Sequence, residues 1–200
     1  MSTAPIGAQP HRGALGPEWR RGPDGLMHRR AARVIMLDPD DRVLMVRGHD
    51  QDQPSRSWWF TVGGGLDAGE TPREAAVREV REETGIVLAD DVLVGPVLTR
   101  AAVFDFVAQR CRQDEDLFVA RVGAGAALSR SGWTALEGEL LDEMRWFSLD
   151  ELATVGLEVF PVGLVGLVRS LLDGWDGVTR HLDETAAAVP AQSEASGGTP

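Results

Sequence analysis

Gly63-Gly-Gly-Leu-Asp-Ala-Gly-Glu-Thr-Pro-Arg-Glu-Ala-Ala-Val-Arg-Glu-Val-Arg-Glu-Glu-Thr-Gly85-Ile86 is the stretch on which the fold turns. Three glycines follow directly on an aromatic, strand-like run, Trp58-Trp59-Phe60-Thr61-Val62. Thr71-Pro72-Arg73-Glu74 is a capping box with proline at the first helical position. Gly85 supplies a C-terminal stop, so the spacing predicts a helix from Pro72 to Thr84. At about 100° per residue, Glu79, Glu82 and Glu83 share one helix face within an arc of about 100°. Carboxylates that close repel one another, and they lie near the helix C-terminus, where the macrodipole disfavours negative charge. Hard divalent cations remove both penalties, because Mg2+ takes oxygen ligands and is completed by substrate phosphates. The plain alternative is a solvated acidic face balanced by Arg78 and Arg81. The glycine turn favours the metal, since glycine lets the backbone approach a cation or phosphate closely. On the other side Ala75, Ala76 and Val80 are small enough to pack tightly against a sheet.

Outward from this segment the pattern is mixed. Ala31 to Leu37 and Arg42 to Arg47 are strand-like and flank the turn Asp38-Pro39-Asp40-Asp41, which predicts a hairpin. Apolar stretches near 87–98, 101–108 and 116–122 predict three further strands, and Met144 to Ser148 another. Residues 123–138 are small and polar and predict a loop. Ser148-Leu149-Asp150-Glu151 is a second capping box opening a short helix, and Pro161 to Leu172 predicts a longer apolar one. Residues 1–28, rich in Pro, Gly and Arg, predict a flexible arm, and 176–200 a disordered tail.

Composition narrows the classes. In 200 residues, 43% hydrophobic content suffices for one core. The longest apolar stretch, Val162 to Val168, is too short to span a membrane, and the N-terminus lacks the pattern of a secretory signal. The expected location is the cytoplasm, with no membrane association. Cys111 is the single cysteine and is flanked by arginines rather than a base, which predicts an ordinary strand residue. A net charge of −11 argues against a nucleic-acid partner, although residues 1–33 carry six arginines against Glu18 and Asp24. All 20 basic residues are arginine, and Lys, Asn and Tyr are absent. That reflects a GC-rich, bacterial genome, so the arginines are not all to be read as ligands.

Gly64, Glu70, Arg78-Glu79, Val80, Glu82-Glu83 and Gly85-Ile86 resemble the Nudix box. Its pattern is glycine, five residues, glutamate, seven residues, Arg-Glu-aliphatic-x-Glu-Glu-x-Gly-aliphatic, and both spacings are intact. One departure is Val62 where Pro is common before the paired glycines; it affects the turn and no ligand. The resemblance implies the Nudix hydrolase (MutT-like) family and an α/β class, an α/β/α sandwich with a mixed β-sheet over residues 29–175. It also implies a pyrophosphohydrolase acting on acid anhydrides with Mg2+, or Mn2+. Its expected substrate is a nucleoside diphosphate linked to another moiety: a nucleoside triphosphate, ADP-ribose or a nucleotide sugar. Carried over by position, Glu79, Glu82 and Glu83 are metal-binding carboxylates and the Gly63 carbonyl a further ligand. Arg78 and Glu70 form a pair that positions the helix, with Gly64 and Gly85 supporting the motif. Glu143, or Glu139, is the expected ligand or base from outside the box. Trp58 or Trp59 could stack on a base, and Arg33 and Arg47, with Arg29 and Arg30, could grip phosphates. A homodimer is the expected assembly. The alternatives are a diphosphatase for a non-nucleotide substrate and a non-catalytic effector sensor.

Overall fold

The computed structural model describes residues 15–50, 53–89, 91–106, 109–123 and 126–185. The first strands are β1 (Arg20–Arg21), β2 (Met27–Leu37), β3 (Val43–His49) and β4 (Ser57–Gly65), followed by helix α1 (Pro72–Thr84). Next come β5 (Leu93–Phe106), β6 (Gln109–Arg121), α2 (Ala135–Leu140) and β7 (Leu141–Phe147). The chain continues through α3 (Leu149–Thr154), β8 (Glu158–Phe160), α4 (Leu164–Leu171) and β9 (Arg180–Glu184).

These strands make one mixed sheet in the order β7-β3-β4-β2-β6-β5-β9, with β1 on β2 and β8 on β4. β2 runs parallel to β6 and antiparallel to β4, so the sheet's centre is β4-β2-β6. The period-two alternation of β2 separates two cores. Ala32, Val34 and Met36 face α1, where Ala75, Ala76 and Val80 pack against them. Ile35 and Leu37 face the other way, against Leu152 of α3 and Leu164, Val168 and Leu171 of α4. Helices on both faces of a mixed sheet give the expected α/β/α sandwich. Among the described residues, no helix is long and apolar enough to cross a membrane.

Helix α1 has the predicted bounds. Thr71 and Glu74 exchange both capping-box bonds, and Gly85 takes φ 75° and returns its N–H to the Arg81 carbonyl. Elsewhere the structure differs from expectation. β4 runs on through Gly63–Gly65, because these residues pair with Ala31–Arg33 of β2. The three strands expected over 87–122 are two long ones. The expected loop ends in a helix: Thr134 caps α2 with a third capping box, donating to and accepting from Glu137. The assignment of 176–200 to a disordered tail is corrected for 176–185. β9 pairs with the otherwise open edge of β5, a gain no local pattern announces. In the expected arm, Trp19 is buried against Phe104 and Phe106, and Arg20–Arg21 pair with β2. Residues 1–14 and 186–200 of the arm and tail lie outside the described residues.

Candidate functional site

The site forms where the β4 glycines pass under α1. Gly63 has φ 131°, and a Cβ there would stand 2.8 Å from the Arg33 Cα, so only glycine fits. Its N–H donates to Glu83 Oε2 at 2.8 Å. Gly64 leaves room for a carboxylate, since an added Cβ would lie 2.7 Å from both Glu79 oxygens.

Arg78 is the hub of the helix face. Its Nε and Nη2 grip Glu70 at 2.9 and 2.8 Å, and Nη2 also donates to the Gly65 carbonyl at 2.8 Å. Nη1 holds Glu79 at 2.7 Å and Glu82 at 3.2 Å. The fork thereby ties the loop before the helix to two of its carboxylates. Hydrogen bonds from Arg78 hold Glu70 below the usual carboxylate range and, in return, Glu70 raises Arg78.

The structure brings together Glu79, Glu83 and Glu137, each offering a carboxylate oxygen within 4.8 Å of the others. Glu79 and Glu83 are only 6% and 3% exposed. Burial, and then the neighbouring Glu79, push the Glu83 carboxyl up to about 8. Burial likewise raises Glu79, against the pull of Arg78. Two buried acids and a third converging on one point are unfavourable without a cation and suit an all-oxygen cation site. Glu82 points outward, 40% exposed, between Arg78 and Arg81.

Glu137 is absent from the sequence-predicted set. It reaches the site because its loop docks on the C-terminal end of α1. Ser129 N–H donates to the Thr84 carbonyl at 2.8 Å, and Trp133 Nε1–H to the Glu83 carbonyl at 2.8 Å. The local signal was Thr134-Ala-Leu-Glu137, a capping box inside the expected loop. Glu143 is not brought to this group. It lies on β7, bonded to Arg47 Nη2 at 3.2 Å, and Glu139 is exposed on α2.

The other candidates fall in three places. Trp59 is core, edge-on to Phe147 at 4.8 Å, whereas Trp58 is half-buried beneath Arg56. Arg47 is held by Asp142 and Glu143, Arg29 by Glu18 and Gln113, and Arg30 by Asp116. Arg33 is internal: Nε donates to Glu115 at 2.9 Å, and Nη1 to the carbonyls of Thr61 and Gly63 at 3.0 and 2.6 Å. The Gly63 carbonyl, an expected metal ligand, therefore already accepts one hydrogen bond and keeps a second lone pair. Cys111 is buried, and burial pushes its thiol up to about 11, as fits an inert strand residue.

Several known proteins are similar to this chain. A putative 8-oxo-dGTP diphosphatase of Bacillus subtilis is 34% identical over 111 residues, 54% of this chain and 64% of that protein. An uncharacterized Nudix hydrolase of the same species, YvcI, is 40% identical over 60 residues, 30% of this chain and 35% of the relative. The chain thus spans between a third and two thirds of these relatives. In fold, it is similar to the crystal structure of a mutator MutT protein from Bacillus halodurans. The TM-score is 0.54 at 21% identity, covering 80% of this chain and 93% of the other. Residues 27–162 match the NUDIX domain family, well over half of the chain. This chain, with its intact box folded into the carboxylate cradle just described, belongs to the Nudix hydrolase family.

Proposed function

We propose that this protein is a divalent-metal-dependent hydrolase that cleaves the diphosphate linkage of a nucleoside diphosphate joined to another group. The observation that carries the proposal is the convergence of Glu79, Glu83 and Glu137 beside the Gly63–Gly64 turn. Glu79, Glu83 and Glu137 would hold Mg2+ or Mn2+, with Glu82 and the Gly63 carbonyl adjoining. Bound there, the cation would neutralise diphosphate charge and acidify a water.

The chain's own groups do the rest. Arg78 aims the Glu79 carboxylate, and the Gly63 N–H fixes that of Glu83. Glu82, the outward-facing carboxylate of the box, is assigned the proton from the attacking water. The outer carboxylate expected at Glu143 we place at Glu137, and Glu143 is given the task of holding Arg47. Trp58, on the opposite strand face from buried Trp59, is the candidate for stacking on a base. The nucleoside part of the proposal draws on the relative named a putative 8-oxo-dGTP diphosphatase. The single buried thiol and the acidic composition fit a cytoplasmic enzyme.

The test is a panel of nucleoside triphosphates, ADP-ribose, nucleotide sugars and a non-nucleotide diphosphate, assayed with Mg2+ or Mn2+ and with products identified. Turnover of at least one nucleotide is expected, lowered by orders of magnitude in Glu82→Gln and in Glu83→Gln while the fold persists. Turnover without added metal, or undiminished in both variants, would contradict the proposal.

A further inference from the structure

Behind the cradle, on the sheet face away from α1, lies a buried chain of charges that the box does not contain. Arg33 of β2 sits directly across from Gly63 in the register of β2 with β4. Its Nη1 spans the Thr61 and Gly63 carbonyls, bracketing the point where β4 enters its glycine run. Its Nε is held by Glu115, whose side chain is 2% exposed. Glu115 also receives Arg100 Nη1 at 2.6 Å and the Gln113 amide. Arg100 is bonded in turn to Glu184 of β9, and Glu184 accepts the Val162 N–H at 3.1 Å. β9 lies beyond the part of the chain that matches the family.

Stability alone is a weak reason for such a cluster, since a buried ion pair is often no better than apolar packing of the same volume. What distinguishes this one is where its free end points. The Arg33 fork ends on the Gly63 carbonyl, whose residue also donates its N–H to Glu83. One arginine therefore fixes the Gly63 carbonyl, at the residue whose own N–H, on the preceding peptide, holds the Glu83 carboxylate. Groups that orient metal ligands from behind typically change affinity or activity by 10–100-fold when removed. Glu115, almost fully enclosed, reaches the Gly63 carbonyl through Arg33.

We infer that Arg33, locked by Glu115, is a positioning residue that fixes the Gly63 carbonyl and the Gly63–Glu83 contact for the divalent cation. This differs from a phosphate-gripping role for Arg33 and rests on the metal-site reading proposed above. Lysine at 33 keeps the charge but loses the planar fork that reaches two carbonyls and a carboxylate together.

The experiment measures Mn2+ affinity of the full-length protein by calorimetry and electron paramagnetic resonance. Kinetics follow on ADP-ribose or dGTP, whichever is turned over. Arg33→Lys and Glu115→Gln are each expected to raise the Mn2+ dissociation constant about tenfold. kcat should fall comparably and KM stay within about twofold. The double variant should bind Mn2+ no worse than the weaker single, as expected for two residues acting through one contact. Thermal melts establish that each variant is folded; should Glu115→Gln not fold, Arg33→Lys alone decides. A raised KM with unchanged Mn2+ affinity in Arg33→Lys would make Arg33 a substrate contact and overturn the inference, as would additive losses in the double variant. Failure of the wild-type protein to bind Mn2+ would instead overturn the metal-site reading beneath it.

Discussion

Glu83 carries the sharpest residue-level consequence. Its carboxyl stands at about 8 in the metal-free protein, against 4.5 for an unperturbed glutamate, because it is buried and faces Glu79. Below about 4.5 both folded and unfolded chains hold this proton and it contributes no slope. Between the two values the unfolded chain releases a proton that the folded chain keeps, so stability falls as pH rises. Glu70 and Glu115 are shifted downward and act below that window. For Glu115 burial alone would raise the group, but Arg33 and Arg100 outweigh it. The melting temperature of the metal-free protein should therefore decline from pH 5 to pH 8. Saturating Mg2+ should flatten that decline, since cation binding requires the ionised carboxylate and releases its proton. A melting temperature that rises over this range without metal would count against the assignment. Gly64 makes a second residue-level point. The atoms nearest an alanine Cβ there belong to the carboxylate end of Glu79, 2.7 Å away, rather than to backbone. Gly64→Ala should fold with little change in melting temperature yet lose about 10–100-fold in turnover.

At the scale of elements, α1 was legible in the sequence because everything that defines it is local. The capping box, the proline, the small-residue face and the stop at Gly85 all lie within the helix and its two caps. Gly85→Ala forces a left-handed φ of 75° on a residue with a Cβ, which would also lie 2.9 Å from the Ser129 Cβ. The expected cost is about 1–2 kcal/mol, read as a drop of roughly 2–8 °C in melting temperature. The 126–140 segment was not legible in the same way. Its position rests on Trp133 and Ser129 reaching the end of α1, contacts between residues distant in sequence. Only the Thr134–Glu137 box was locally encoded. Glu143 was expected because it precedes Arg145-Trp146-Phe147-Ser148, a segment that resembles the family's strand after its variable loop, but β7 pairs with β3 and engages Glu143 with Arg47.

For the whole molecule, the residues themselves showed a mixed order of strand-like runs and helices, and the α/β/α class was what the resemblance of the box implied. β1 and β9 were not visible there, because an edge strand is made by the edge that receives it. Arg180–Glu184 has no apolar alternation, and its place is set by β5 and by the Arg100–Glu184 pair. Glu184→Ala takes away one of the two carboxylates on Arg100, which keeps Glu115, so the expected cost is that of a charged hydrogen bond, about 1.5–3 kcal/mol. The melting temperature should accordingly fall by roughly 3–12 °C, and a melt matching wild type would show that β9 is not part of the cooperative unit.

Which carboxylates form the cation site decides the rest of the chemistry, and Mn2+ titration of two single variants tests that choice most directly. Glu137→Gln should weaken Mn2+ binding by about tenfold or more, while Glu143→Gln leaves it within about twofold of wild type. Weakened binding in Glu143→Gln with none in Glu137→Gln would contradict the site described here.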